Sequence, residues 1–184
     1  MPSSISHIFA GTSLGYALKC RGRGPLFFCL AAVVSILPDI DVLAFSIGIP
    51  YGDIFGHRGF LHSLFFSFII SLAVVLIWYR NRVISGAERA GLFAVFFIIA
   101  ASHPLLDAMT SGGLGIGLFI PFYNERIFFP WRPIAVSPIG IREFFSEWGL
   151  RVMKSELHYI ILPSIMIAAI AFIIRFAFRR HAEN

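Results

Sequence analysis

The chain alternates between long apolar stretches and short polar joints. Stretches at about 60–79, 89–108 and 157–178 each offer roughly 20 mostly apolar residues, the length that crosses a bilayer as a helix. A fourth, about 25–37, runs into Pro38-Asp39-Ile40-Asp41. A fifth, about 3–19, is diluted by Ser, Thr, Gly and His7. The pattern predicts an all-α, polytopic bundle of five membrane helices, one integral-membrane domain over 1–184. Ahead of the last helix, 109–156 is rich in Gly, Pro and aromatic residues (GGLGIGLF, FFPWRP). That stretch is expected to be irregular and to lie in the interface or re-enter, because lipid-exposed irregular backbone leaves polar groups unpaired. The sequence contains no internal repeat.

Composition agrees. The chain is 58% hydrophobic and 14% charged, with a mean hydropathy of +0.82, whereas soluble domains hold about 25% charged residues. A net charge of +5 would point to nucleic acid in a soluble protein. Here the basic residues sit between apolar runs, so they are assigned to topology and no nucleic-acid partner is expected. Lys19, Arg21 and Arg23 follow the first helix, Arg80, Arg82 and Arg89 separate the third from the fourth, and Arg175, Arg179 and Arg180 end the fifth. By the positive-inside rule these mark the cytoplasmic side, which puts the N-terminus outside and the C-terminus inside. Cys20 and Cys29 lie beside and inside an apolar run and suggest neither a disulfide nor a thiolate metal site. The opening MPSSISHIFAG lacks a basic n-region, so no cleaved signal peptide is expected. Trp131, Trp148 and the tyrosines suit an interfacial belt.

That topology gives the polar residues of the apolar runs a common depth. His7 begins the first helix, Asp39 and Asp41 end the second, His57 and His62 open the third, and His103 and Asp107 lie near the end of the fourth. All seven fall on the outer side. Ionisable residues in membrane segments are costly and face one another or water, so they are functional candidates by default. Histidine with carboxylate and no cysteine suits zinc, manganese or iron. His103 and Asp107, at i and i+4, share one helical face and can share an ion, and Pro104 between them can kink the helix. His57 and His62, five apart around Gly59, suit a loop and the first turn of a helix. Asp39 and Asp41, two apart after Pro38, suit an extended helix end. Each piece alone has an ordinary reading: a packing histidine, a capping aspartate, a juxtamembrane Arg58 meeting headgroups. Seven such residues from four segments at one depth point to a metal site for one or two ions. His158 and His181 are read as ordinary.

At these residues the sequence resembles the YdjM-like family of inner-membrane proteins described as metal-dependent hydrolases. The matching pieces are His7, LPDID at 37–41, GHRGFLHSL at 56–64, SHPLLDAMTSGG at 102–113 and, more loosely, FFPWRP at 128–133. Leu61 stands where Thr or a similar residue is expected. The resemblance implies a bacterial inner-membrane location, a membrane-embedded metal site and hydrolase activity. The family is in turn distantly similar to zinc-dependent phospholipases C and single-strand nucleases, all-helical enzymes with His and HxxxD ligands. That analogy favours zinc and phosphoester chemistry.

The reading that follows is a hydrolase that cleaves a phosphoester of a lipid or lipid-linked substrate at the outer face by metal-activated water. His7, Asp39, Asp41, His57, His62, His103 and Asp107 are the candidate ligands, and Arg58 is a candidate phosphate clamp. Thr110 and Ser111 are expected at a helix terminus. Arg126, Arg132 and Arg142 belong to a lid or substrate wall, and no general base is assigned among Glu125, Glu143, Glu147 and Glu156. The rivals are a metal-ion transporter and a non-catalytic, metal-stapled module that binds lipid or protein. Ser67 and Ser71 are a meagre polar path for the former.

Overall fold

The structure, a computed structural model, describes residues 1–18, 24–138 and 141–183. The expected basic joint of Lys19, Arg21 and Arg23, and Cys20 with it, lies outside them. The chain is all-α: no β-strand occurs among the described residues, only isolated bridges at Thr110–Ile134 and Ile116–Ile127.

Helix α1, Ser4–Leu18, lies against α2, α4 and α7. Its small residues permit that position. A Cβ on Gly11 would stand 2.6 Å from the Cβ of Ser35 in α2, and one on Gly15 would stand 3.1 Å from the ring of Phe27. Two glycines four apart thus let helix backbones approach closely, as is common inside membranes.

Helix α2, Pro25–Ile36, opens with proline where a missing N–H costs nothing. It continues without a break into a 3-10 helix, Leu37–Ile47, which ends at Gly48 with φ of 82°. The extended end expected around Asp39 and Asp41 is therefore a tight helix. Pro38 sits at its start, where it breaks no hydrogen bond, and three residues per turn send the two aspartates to different sides.

A short 3-10 turn, Phe60–His62, precedes α3, Leu64–Trp78. Ser63 sets that later start by accepting a hydrogen bond from the Phe66 N–H at 3.0 Å. Helix α4, Gly86–Ala108, starts ahead of Arg89 because Ser85 and Glu88 form a capping box. It runs unbroken through Pro104. After a short α5, Ile141–Phe144, helix α6, Glu147–Glu156, passes through a π turn, Leu157–Ile161, into α7, Leu162–Glu183. The end of the stretch expected to be irregular is thus helical, capped by Ser146.

Among the described residues, three helices are long and apolar enough to cross a membrane: Pro25–Ile47, Gly86–Ala108 and Glu147–Arg180. Leu64–Trp78 is apolar but shorter. Phe27, Leu30, Val34, Val74, Val75, Leu92, Phe96 and Ile99 form the core between α2, α3 and α4. Two smaller clusters pin the following loop over one end of the bundle: Ile134 with Ala10 and Ile160, and Ile116 and Leu118 with Ala108. At the other end Arg175 of α7 donates to the carbonyl of Ala17, 2.7 Å away, where α1 finishes.

Candidate metal centre

Four segments meet where α1 begins and α4 ends. The first turn of α1 supplies His7, the 3-10 helix after α2 supplies Asp39 and Asp41, and the turn before α3 supplies His57, Arg58 and His62. The last two turns of α4 supply His103 and Asp107 on one face. All are buried except Asp39, whose side chain retains 10% exposure.

Five of these residues point ligand atoms at one small volume. The Nε2 atoms of His62 and His103 are 3.0 Å apart. Asp39 Oδ1 lies 3.3 Å from His103 Nε2 and 3.7 Å from His62 Nε2. Asp107 Oδ2 lies 3.4 Å from His62 Nε2, while its Oδ1 is 3.3 Å from His7 Nε2. An ion held at about 2.1 Å sets neighbouring ligands about 3.0–3.4 Å apart, in octahedral or tetrahedral arrangement. Four of the five observed separations fall in that range, and Asp39 Oδ1–His62 Nε2, at 3.7 Å, lies just beyond it.

The polar atoms are also left in need of a cation. Both nitrogens of His7, both oxygens of Asp39 and both oxygens of Asp107 are buried without a hydrogen-bond partner. Leaving so many polar atoms dry and unpaired is expensive, and one divalent cation would satisfy most of them. The donor set therefore fits a hard or borderline ion.

Asp41 and His57 lie behind His62 and form a grouping of their own with it. Asp41 Oδ1 is 2.6 Å from His57 Nδ1, and its Oδ2 accepts from the backbone N–H of Arg58 at 3.0 Å. The same Oδ2 lies 2.9 Å from His62 Nδ1, off the line of a good hydrogen bond. Asp41 thus stands behind His62 and links it to His57. His103 is backed in a comparable way, its Nδ1 donating to the Ser35 carbonyl at 2.7 Å. Such outer partners fix which ring nitrogen is free to bind an ion. His7 is held flat against His103, with ring centroids 3.8 Å apart. Three groupings of these residues could each hold an ion: His7, His103 and Asp107; Asp39, His62 and His103; Asp41, His57 and His62.

Arg58 is wholly buried and does not reach lipid headgroups. It donates through Nη1 to the Gly112 carbonyl at 2.7 Å and through Nη2 to Thr110 Oγ1 at 2.9 Å. Its Nε stands 3.5 Å from Asp107 Oδ2. Thr110 also donates to the Asp107 carbonyl at 2.7 Å, the helix-terminal role expected of it. The turn carrying Arg58 is tight. A Cβ on Gly59 would sit 2.2 Å from the Ile54 carbonyl, and one on Gly56 would sit 2.2 Å from that of Pro50. Arg126 ties the turn down by donating to the carbonyls of His57, Tyr51 and Asp53.

Tyr51 was not singled out by the sequence. Its ring meets His57 edge-on at 5.2 Å, and burial pushes its phenol pKa up. With His57, Gly113 and Trp148 it lines a cleft of about 290 Å³ beside the cage. Glu156 is buried and engaged by Ser3 and Ser6, while Glu125, Glu143, Glu147 and His158 are exposed. The side chain of His181 lies outside the described residues.

A model of the YdjM inner membrane protein family matches residues 1–182. The chain is 37% identical over 170 residues to the inner membrane protein YbcI of Escherichia coli (strain K12), covering 91% of this chain and 95% of that relative. No solved structure matches it.

Proposed function

The chain belongs to the YdjM inner membrane protein family, and from that premise we propose that it is a metal-dependent hydrolase of phosphoesters carried by a membrane lipid. The observation that carries this reading is the convergence of the two Nε2 atoms of His62 and His103 with oxygens of Asp39 and Asp107 at ligand spacing. These four residues, with His7 alongside, would hold one divalent ion, zinc first by the chemistry of the set. A second ion in the Asp41, His57 and His62 grouping would need His62 to serve through both ring nitrogens, which an ordinary imidazole does not do. Such an ion supplies Lewis acidity, making water more acidic and polarising a phosphoryl oxygen.

The chain's own groups do the rest. Asp41 and the Ser35 carbonyl hold the two imidazoles in register. Arg58 balances Asp107 from 3.5 Å and would help neutralise an incoming phosphate. The loop from Thr110 to Ser137 excludes bulk water, and the cleft by Tyr51 and His57 is the approach for a headgroup. The basic residues Arg80, Arg82, Arg89 and Arg175 gather at the far end of the bundle, which supports a cage at the outer face and a cytoplasmic C-terminus. In that orientation α1 and α3 cross as well, giving five spans.

Protein purified in detergent without chelator tests this directly. It should carry about one divalent ion per chain and turn over some member of a panel of phospholipids and lipid phosphates. His103→Ala and Asp107→Ala should lose both properties. Metal without turnover across the panel would assign the cage a structural role, and a metal-free wild type would remove the reading altogether.

A further inference from the structure

A second cleft, of about 320 Å³, opens between the start of α1 and helix α6. We propose that it holds an acyl chain of an anionic glycerophospholipid whose phosphate is met by Lys154, so that the lipid's headgroup is presented beside the cage. This assignment rests on the hydrolase reading for its purpose, but not for the binding itself.

Helix α6 and the π turn carry three distinct rows. Gly149, Val152, Glu156 and Ile160 are buried against the protein. Leu150, Met153 and Leu157, each about half exposed, line the cleft together with Ile161 and, from the other wall, Ile5. Arg151 and Lys154 are exposed beside that apolar row, and Lys154 itself lines the cleft. An apolar trough with a cation at its lip is the shape of a phospholipid, and its volume is at the lower edge of ordinary ligand pockets, about 300 Å³.

Glu156 also lines the cleft, yet it offers no open charge. Its carboxylate receives the backbone N–H and hydroxyl of Ser3 and, at 2.8 Å, the hydroxyl of Ser6. Those three donors keep the wall compatible with a hydrocarbon chain. They also join the cleft to the cage, because His7 follows Ser6 directly in α1.

The depth is right as well. Between Lys154 and Arg175 the segment 155–174 contains no Lys or Arg and only the buried Glu156 as an acid. Such a segment is about as long as the hydrocarbon core is thick, so Lys154 falls at the headgroup boundary opposite the Arg175 end. An acyl chain entering beside it would lie in the outermost hydrocarbon layer, where the cleft is.

The test titrates pyrene-acyl phosphatidylglycerol, and pyrene-acyl phosphatidylcholine as the uncharged counterpart, into the full-length protein in detergent and reads energy transfer from its tryptophans. Saturable binding with preference for phosphatidylglycerol is expected. Lys154→Gln should weaken that lipid about five-fold, the size of one headgroup contact, and leave phosphatidylcholine unchanged. Met153→Trp, which fills the trough, should weaken both, and Leu150→Trp serves the same purpose one turn earlier in the same row. His103→Ala should bind as wild type does, which separates this site from the metal reading. Equal, non-saturable binding of both lipids in all variants would overturn the proposal, as would loss of binding in His103→Ala with retention in Met153→Trp and Leu150→Trp.

Discussion

The Nε2 atoms of His62 and His103 face each other at 3.0 Å inside a buried cage. Behind the His103 ring the Ser35 carbonyl takes Nδ1 at 2.7 Å, and behind His62 the Asp41 carboxylate stands 2.9 Å from Nδ1. With a proton on each Nδ1, the two Nε2 lone pairs point at one another. That contact is repulsive unless a proton or a cation lies between them. A metal cation would also serve Asp39 and Asp107, whose buried oxygens accept no hydrogen bond.

Removal of the metal should therefore destabilise the fold. Chelation is expected to lower the melting temperature in detergent, and added zinc to restore it. A ligand at one hundred times its dissociation constant contributes about 2.7 kcal/mol. His103→Ala should melt at one temperature with or without chelator. A wild type whose melting ignores both chelator and zinc would show that the lone pairs are reconciled by a proton instead.

Asp41→Asn separates the outer role of Asp41 from a ligand's. The amide keeps the size but loses the charge that orders His57 and His62. Loss of such a partner costs about 10–100-fold in metal affinity, whereas loss of a true ligand removes binding more completely. Metal titration of Asp41→Asn beside Asp39→Asn checks the ranking, with Asp39→Asn expected to be the weaker binder.

The gathering of seven polar residues was legible in the sequence because membrane helices carry so few. Their position near helix ends fixed a shared depth before any contact was known. What stayed hidden was the division of labour. Asp39 and Asp41 differ only in which side of a 3-10 helix they take, and that helix replaces an expected extended end. Ser35 acts through its carbonyl, a group every residue owns, so no side-chain pattern could mark it. Tyr51 reaches the cage only because Gly56 and Gly59 fold their turn so tightly. Arg58, at the mouth of an apolar run, reads in sequence as a phosphate clamp or a headgroup anchor, while its partners, Gly112 and Thr110, lie more than fifty residues away.

Arg58 and the ion share the task of balancing Asp107. Taking one partner from a buried charge pair typically costs about 3–5 kcal/mol. Arg58→Gln should accordingly destabilise the chelated protein more than the metal-loaded one, because the ion compensates Asp107 when present. Melting curves of the variant in both states check this. Equal losses in the two states would mean that Arg58 acts on the loop through Gly112 and Thr110 alone.

Gly11 bears on the cage through Ser35. A methyl group there meets Ser35 Cβ at 2.6 Å and Ile99 Cγ2 at 3.1 Å, so Gly11→Ala must push α1 from α2 or α4. Overpacking of this kind costs about 1–3 kcal/mol. Because Ser35 is the acceptor for His103, metal affinity should fall together with the melting temperature. A variant that melts lower yet binds metal as tightly as wild type would uncouple helix packing from the orientation of His103.

Transport of the metal would require a path from the cage to the opposite end of the bundle. Beneath the cage lie Phe27, Leu30, Val34, Val74, Phe96 and Ile99, a packed apolar core. The two buried serines of α3 do not open it. Ser67 donates to the Ser63 carbonyl at 3.1 Å and Ser71 to the Ser67 carbonyl at 2.6 Å, so each hydroxyl proton is committed within its own helix. Proteoliposomes holding a zinc-sensitive dye are expected to show no flux above empty vesicles. Ser67→Ala and Ser71→Ala should retain metal within about two-fold of wild type, since each loses only a back-bond to its own helix, a contribution of ~1 kcal/mol or less. Zinc entry that both serine variants abolish would make this polar row a conduit and the cage its mouth.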